Sequence, residues 1–226
     1  MDHNSGNGKF TEQQLENAMI ELLQKEGYTH IHGESLHRRF DEVLLEDDIK
    51  TYLQSTYSNE KLTANEITKI INNIKLISSY PLYEGNRETF YLINEGFDIA
   101  RDDPAKQHIH INLIDFENTE NNIYKAVNQF WVGDQLLRRP DLLLFVNGIP
   151  DVICEFKTAI EENKTIFDAW KQIHNRYKRD IPKLMKYCFL SIISDGVNSK
   201  MGTILLPISI ITHGGEQNTT HLLRMA

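Results

Sequence analysis

The chain has 226 residues, 40% hydrophobic and 25% charged, with a formal net charge of −8, which suits one large domain or one domain with a helical addition and excludes wholesale disorder. No apolar run approaches the ~20 residues that a membrane helix requires. MDHNSGNGKF (1–10) lacks the apolar stretch of a secretory signal and is expected to be a flexible N-terminus of a cytoplasmic protein.

Thr11 to Gly27 predicts a helix: Thr11 and Gln14 fit a capping box, and Leu15, Ala18, Met19, Leu22 and Leu23 recur at helical spacing. Glu12 and Glu16 flank that stripe, so either can border a buried site. Two more helices are expected near 42–55 and 63–78, the second opened by a Thr63/Glu66 capping box. YPLYEGN (80–86) punctuates the chain before a short helix over 87–95. From about 108 the period becomes that of strands: HIHINLID (108–115) alternates, and NIYKAVNQFWV (122–132) is a second candidate with aromatic content. DLLLFV (141–146) and IPDVICEF (149–156) flank Asn147-Gly148, a strong hairpin signal. A helix over about 165–178 ends at Ile181-Pro182, and CFLSIIS (188–194) reads as a buried strand turning at Asp195-Gly196. Helices, a strand meander, then a helix and a strand predict one mixed α/β domain with an N-terminal helical portion.

The charge is unevenly spread. Residues 1–121 hold 22 acidic against 11 basic side chains, and residues 122–226 hold 10 against 13. Between 164 and 186, Lys164, Lys171, Arg176, Lys178, Arg179, Lys183 and Lys186 face only Asp168 and Asp180. Such a stretch is either a solvated helix face or a surface for phosphates. Cys154 and Cys188 sit in apolar strand-like runs and read as reduced core residues. His30, His32, His37, His108 and His110 lack zinc-site spacing. Trp131 and Trp170 suit core positions better than base stacking.

RRPDLLLFVNGIPDVICEFKTA (138–159) carries Asp141, Glu155 and Lys157 in a run apolar enough for the middle of a sheet. Buried unpaired ions cost several kcal/mol each. Side chains alternate along a strand, so Glu155 and Lys157 share a face, and Asp141 opens the preceding strand. Paired strands would bring two carboxylates and an ammonium together, where hard oxygen ligands favour Mg²⁺. Register decides it: a plain Asn-Gly turn aligns Asp141 with Cys154, on the wrong face, whereas a longer loop or a bulge aligns it with Glu155. The bland alternative is a strand-end salt-bridge network.

Arg139-Pro140-Asp141 and LLLFVNGIPDVICEFK (142–157) resemble the nuclease core of the PD-(D/E)xK superfamily. More narrowly, they resemble the N-terminal endonuclease domain of the R (HsdR-type) subunit of type I restriction–modification enzymes. LENAMIELLQKEGY (15–28), LIDFENTENNIYKAVNQFWV (113–132) and DAWKQIHNRYKRDIPKLMKYCFLSIISDGVNSKMGT (168–203) are similar to that family's opening helix, its approach to the sheet, and the helix and strand after its lysine. The resemblance implies a restriction-endonuclease-like α/β fold, a mixed sheet core flanked by helices. It would span 11–203, with a helical insertion near 42–95 and a divergent or truncated tail over 204–226.

It implies further that Asp141 and Glu155 bind Mg²⁺ and that Lys157 assists the attacking water in phosphodiester hydrolysis. Glu16 would support the site, with Glu12 and Glu21 as rivals. DNA contacts are expected from Gln172, Tyr177, Lys171, Arg176 and Arg138. Related nucleases carry Gln-x-x-x-Tyr, whereas Gln172 and Tyr177 are five apart, about 140° round an α-helix, so a shared face is not expected. The sequence has no G-x-x-x-x-G-K-[ST] loop. The implied function is therefore a nuclease domain without the ATP-driven motor, partnered by double-stranded DNA and by methyltransferase/specificity subunits. The alternatives are a non-catalytic DNA-binding or docking module, or a nuclease for nicked, branched or single-stranded DNA.

Overall fold

Leu142 to Val146 are all buried, and alternation divides them between two cores. Leu142 and Leu144 join Ile20, Leu23, Ala126, Val152, Cys154 and Phe156, while Leu143 and Phe145 join a larger core on the opposite face. A strand covered on both faces reads as a continuous apolar run, and each fully buried Leu or Phe contributes about 1.5–3 kcal/mol. This is the physical source of the run noted in the sequence. The computed structural model describes residues 11–133, 136–157 and 166–205; expectations for residues 1–10, for Lys164 and for 206–226 lie outside them.

The elements are α1 (Glu12–Lys25), β1 (Thr29–His32), α2 (Glu46–Thr56), α3 (Ala64–Leu76), α4 (Leu82–Glu95), β2 (Phe97–Ile99), β3 (Ile109–Ile111), β4 (Tyr124–Asn128), β5 (Leu142–Val146), β6 (Ile149–Phe156), α5 (Ile166–Lys171), β7 (Leu190–Ser194) and β8 (Ser199–Thr203). A six-stranded mixed sheet has the order β1-β4-β5-β6-β7-β8. Its β1/β4 and β6/β7 pairs are parallel and the others antiparallel. Helix α1 covers one face; α5 and the helical portion lie on the side of the larger core. This is the mixed-sheet α/β fold expected from the sequence. No helix of the described residues is long and apolar enough to cross a membrane.

Both capping boxes form: the Thr11 and Thr63 hydroxyls accept from Gln14 and Glu66 N–H, and those side chains reach back to the cap N–H. Ile49, Leu53, Ile67, Ile70, Ile74 and Ile93 of α2–α4 belong to the same core as the sheet. Three details differ from expectation. Helix α4 begins at Leu82 rather than 87, because Gly85 is a packing residue and not a breaker: a Cβ there would lie 1.9 Å from the Ser78 carbonyl oxygen. HIHINLID supplies only β3, which pairs with β2 in a separate two-stranded sheet. Strands β1, β2 and β8 are not foreseen by the sequence pattern, being three to five residues long without clear apolar alternation.

Candidate active site

Asn147 (φ 50°) and Gly148 (φ 82°) make the two-residue turn between β5 and β6, pairing Val146 with Ile149. Positive φ at both positions is what a type I′ hairpin turn demands. Continued without a break, this register would place Asp141 across from Cys154. It does not continue. Phe145 pairs with Pro150, but Leu144 pairs with Val152, leaving Asp151 as an extra residue in a β-bulge. Beyond it Leu143 meets Ile153 and Leu142 meets Cys154, so Asp141 comes level with Glu155. Of the two routes open from the sequence, the protein takes the bulge. Pro150 suits such a break because it cannot donate to the ladder. The Asp151 carbonyl accepts from Phe189 N–H at 2.9 Å, and burial pushes its carboxyl up to about 7.

The carboxylates meet where β5 starts and β6 ends. Asp141 Oδ2 accepts from Phe156 N–H at 2.8 Å. Glu155 is fully buried, and Asp141 stands level with it one step beyond the Leu142–Cys154 pair. Burial, then the Asp141 charge, raises Glu155 well above the carboxylate range. Burial also raises Asp141, against the pull of Phe156 N–H and Lys157, with Glu12 and Glu16 adding repulsion. Lys157 follows the last residue of β6, tied by its N–H to the Ser194 carbonyl at 2.9 Å. Its ammonium lies 3.7 Å from Glu155 Oε2 and 3.9 Å from Glu12 Oε1, and donates to the Phe156 carbonyl at 2.8 Å.

After α5 the backbone widens into a π-helical turn over Gln172–Tyr177, then resumes as Lys178–Asp180. A π turn closes i to i+5, so residues five apart share a face. That overturns the 140° separation expected of an α-helix. Gln172 Nε2 donates to Tyr177 Oη and to Glu155 Oε2, each at 2.7 Å, and Tyr177 Oη donates to Glu155 Oε1 at 2.5 Å. The DNA contact expected of Tyr177 does not match its placement. At 1% exposure, with its hydroxyl committed to Glu155, it is a positioning group instead.

The N-terminal glutamates separate by role. Glu16 is buried and accepts from Asn128 Nδ2 and Gln129 Nε2, both at 2.7 Å. Glu12 lies nearer the cleft, beside Lys157, with a buried Oε1 that has no hydrogen-bond partner. Glu21 is exposed. Asn128 and Gln129 escape a reading of the sequence; Gln129 adopts φ 53° as β4 ends, and its N–H binds the Asp141 carbonyl at 3.0 Å. A cleft of about 660 Å³ opens in front of the site, lined by Glu12, Lys157, Lys171, Gln172, Arg176 and Arg179 among others. Lys171 and Arg176 are exposed there, as a phosphate-contacting role requires. Arg138 is engaged elsewhere, in an ion pair with Asp180 at 2.5 Å, so its expected DNA contact is not supported by its placement.

The donor set suits a hard divalent cation. Two carboxylates whose ionised forms are disfavoured by burial and by neighbouring carboxylates become compatible when a dication lies between them. Among the described residues no group of three or more His, Cys, Asp and Glu is placed to hold a metal ion, so a cation here would rest on these two carboxylates and on water.

Comparison with known proteins agrees with the fold. The profile of the family described as type I restriction enzyme R protein N terminus matches residues 9–206. The chain belongs to that family. It is 32% identical over 201 residues to a Methanocaldococcus jannaschii protein provisionally named the MjaIXP type I restriction enzyme endonuclease subunit, covering 84% of this chain and 19% of that protein. It is 25% identical over 206 residues to the HindI endonuclease subunit of Haemophilus influenzae, covering 86% and 19%. A third relative, the SauCOLORF180P endonuclease subunit of Staphylococcus aureus, is 27% identical over 192 residues, covering 84% and 19%. The chain therefore spans about a fifth of the length of these relatives.

Proposed function

We propose that this R-protein N-terminal domain is a Mg²⁺-dependent DNA endonuclease that hydrolyses phosphodiester bonds. It would act as the nuclease part of a type I restriction enzyme. The observation that carries this reading is the bulge at Asp151, which brings Asp141 level with Glu155 beside Lys157. A salt-bridge network at a strand end has no need of two carboxyls held face to face at the cost of raised protonation.

Asp141 and Glu155 would hold Mg²⁺, which would supply Lewis-acid activation of water and neutralise charge on the attacked phosphate. The other contributions are the chain's own. Gln172 and Tyr177 fix both oxygens of Glu155, so its orientation does not wait on substrate. Phe156 N–H fixes Asp141. The Lys157 ammonium stands at the cleft wall, where it orients the attacking water and stabilises negative charge developing on the phosphate. Lys171 and Arg176 would meet flanking phosphates. Their small number predicts weak, salt-sensitive binding by the domain alone, with targeting left to the methyltransferase and specificity subunits and ATP to motor domains.

The test is nicking of supercoiled plasmid in Mg²⁺ and in EDTA, with Lys157→Ala as control. Mg²⁺-dependent nicking by the native chain, lost in the variant, is expected. Metal-independent DNA binding without any nicking would instead favour a non-catalytic binding module.

A further inference from the structure

Three rings stack along the helix that borders the cleft. Phe167 and Trp170 are parallel, with centroids 5.4 Å apart and 5° between planes; Trp170 and His174 follow at 4.8 Å and 14°. One end of this ladder is anchored: Trp170 packs against the main core and His174 is buried. The other end emerges, with Phe167 55% exposed and the Lys171 ammonium over its ring, 4.5 Å from the centroid. Lys171 is itself half-exposed and 3.5 Å from Asp168. The neighbouring strip of the same helix, Asp168, Lys171, Gln172 and Asn175, lines the cleft in front of Lys157.

A flat exposed ring backed by an anchored stack, with a long Lys171 side chain over it that can swing aside toward a phosphate, is an arrangement on which unpaired nucleobases settle. Every base offers a π-face, and basic side chains track its phosphates. A base inside duplex DNA has both faces covered by its neighbours and cannot use such a platform. We propose that Phe167 is a stacking site for an unpaired base next to the cleaved phosphodiester, so that the favoured substrate is DNA with a single-stranded or frayed segment at the cut. This rests on the nuclease reading for the meaning of the cleft, but the stacking itself requires neither metal nor cleavage.

The experiment therefore uses the full chain in EDTA. A fluorescein-labelled single-stranded oligonucleotide and its duplex are titrated by anisotropy, and a 2-aminopurine oligonucleotide reports stacking by its quenching. The native chain should bind the single strand more tightly than the duplex and quench 2-aminopurine. Phe167→Ala should weaken single-strand binding by about tenfold or more, the typical effect of losing one aromatic–base stack, and change duplex binding by less than about twofold. Phe167→Trp should retain both affinity and quenching, which separates a stacking role from a folding one. Equal binding by native and Phe167→Ala proteins, a preference for duplex, or a loss not rescued by Trp overturns the proposal. Mg²⁺-dependent nicking that persists in that case leaves the nuclease reading standing; loss of nicking in all proteins with the single-strand preference intact leaves the stacking site standing.

Discussion

Replacing Asp141 by Asn should stabilise the metal-free protein, against the usual sign for a buried polar substitution. Asp141 and Glu155 oppose one another at the strand ends, and burial raises both, the Asp141 charge adding to the rise of Glu155 and the Glu12 and Glu16 charges to that of Asp141. A carboxyl raised in the folded state binds protons there that the unfolded chain releases. Stability is then greatest near the ordinary carboxylate pKa of about 4 and falls as pH rises through the folded values. The substituted amide can still accept from Phe156 N–H through its carbonyl oxygen, and its NH₂ can donate to Glu155 where a charge had repelled it. Relief of one poorly compensated buried charge is worth on the order of 1–3 kcal/mol. At about 2–4 °C per kcal/mol for a domain of this size, Tm in EDTA at neutral pH should rise by about 2–12 °C. The gap should narrow toward about pH 4 as the native protein takes up the proton. Mg²⁺ at about a thousand times its Kd should reverse the order, since it then adds about 4.1 kcal/mol to the native protein only. Thermal unfolding followed by circular dichroism, with and without Mg²⁺, reads all three. An Asp141→Asn protein less stable in EDTA at neutral pH, and a native protein indifferent to Mg²⁺, would refute the reasoning.

Other consequences follow from the same contacts. Tyr177→Phe strips Glu155 Oε1 of its 2.5 Å donor and should lower Mg²⁺ affinity and cleavage by about 10–100-fold, as loss of an outer partner of a metal ligand typically does; a Mg²⁺ titration of cleavage rate reads this, and an unchanged midpoint counts against the positioning role. Deleting Asp151 removes the bulge but leaves Leu144 opposite Val152 and Asp141 level with Glu155, so cleavage should persist; its loss with the helical circular dichroism intact would show that register alone does not make the site. Glu16→Ala leaves the Asn128 and Gln129 amides without their acceptor and should cost about 2–4 kcal/mol in urea unfolding, with a loss under about 1 kcal/mol arguing that Glu16 carries little structural load.

Much of this is legible in the sequence where one residue decides one local feature. Thr11/Gln14 and Thr63/Glu66 announce their helix starts because capping chemistry is local. Asn147-Gly148 announces its turn because few residue pairs accept positive φ twice. The two-sided core makes 142–146 read as a buried strand. What sequence periodicity misses depends on partners far along the chain. Strand β1 exists because β4 offers it a parallel edge. Gly85 sits inside a helix because Ser78 leaves room for nothing larger. The site shows both cases. Asp141, Glu155 and Lys157 stand out as charges in an apolar run, but whether they converge hinges on Asp151, whose one-residue offset only Pro150 hints at. The five-residue spacing of Gln172 and Tyr177 looks wrong only for an α-helix; the π turn restores their common face. The amides of Asn128 and Gln129 carry no signal beyond being polar at the end of a strand.

Asp141 and Glu155 are proposed above to form a divalent-cation site for phosphodiester hydrolysis. A crystal of the protein soaked with Mn²⁺, in place of Mg²⁺, tests it most directly through anomalous scattering. A peak is expected between the two carboxylates, with Lys157 Nζ within reach of a water bound to the ion, and no peak in the Asp141→Asn crystal. Empty density there at saturating Mn²⁺, in a protein that nonetheless cuts DNA, would contradict it.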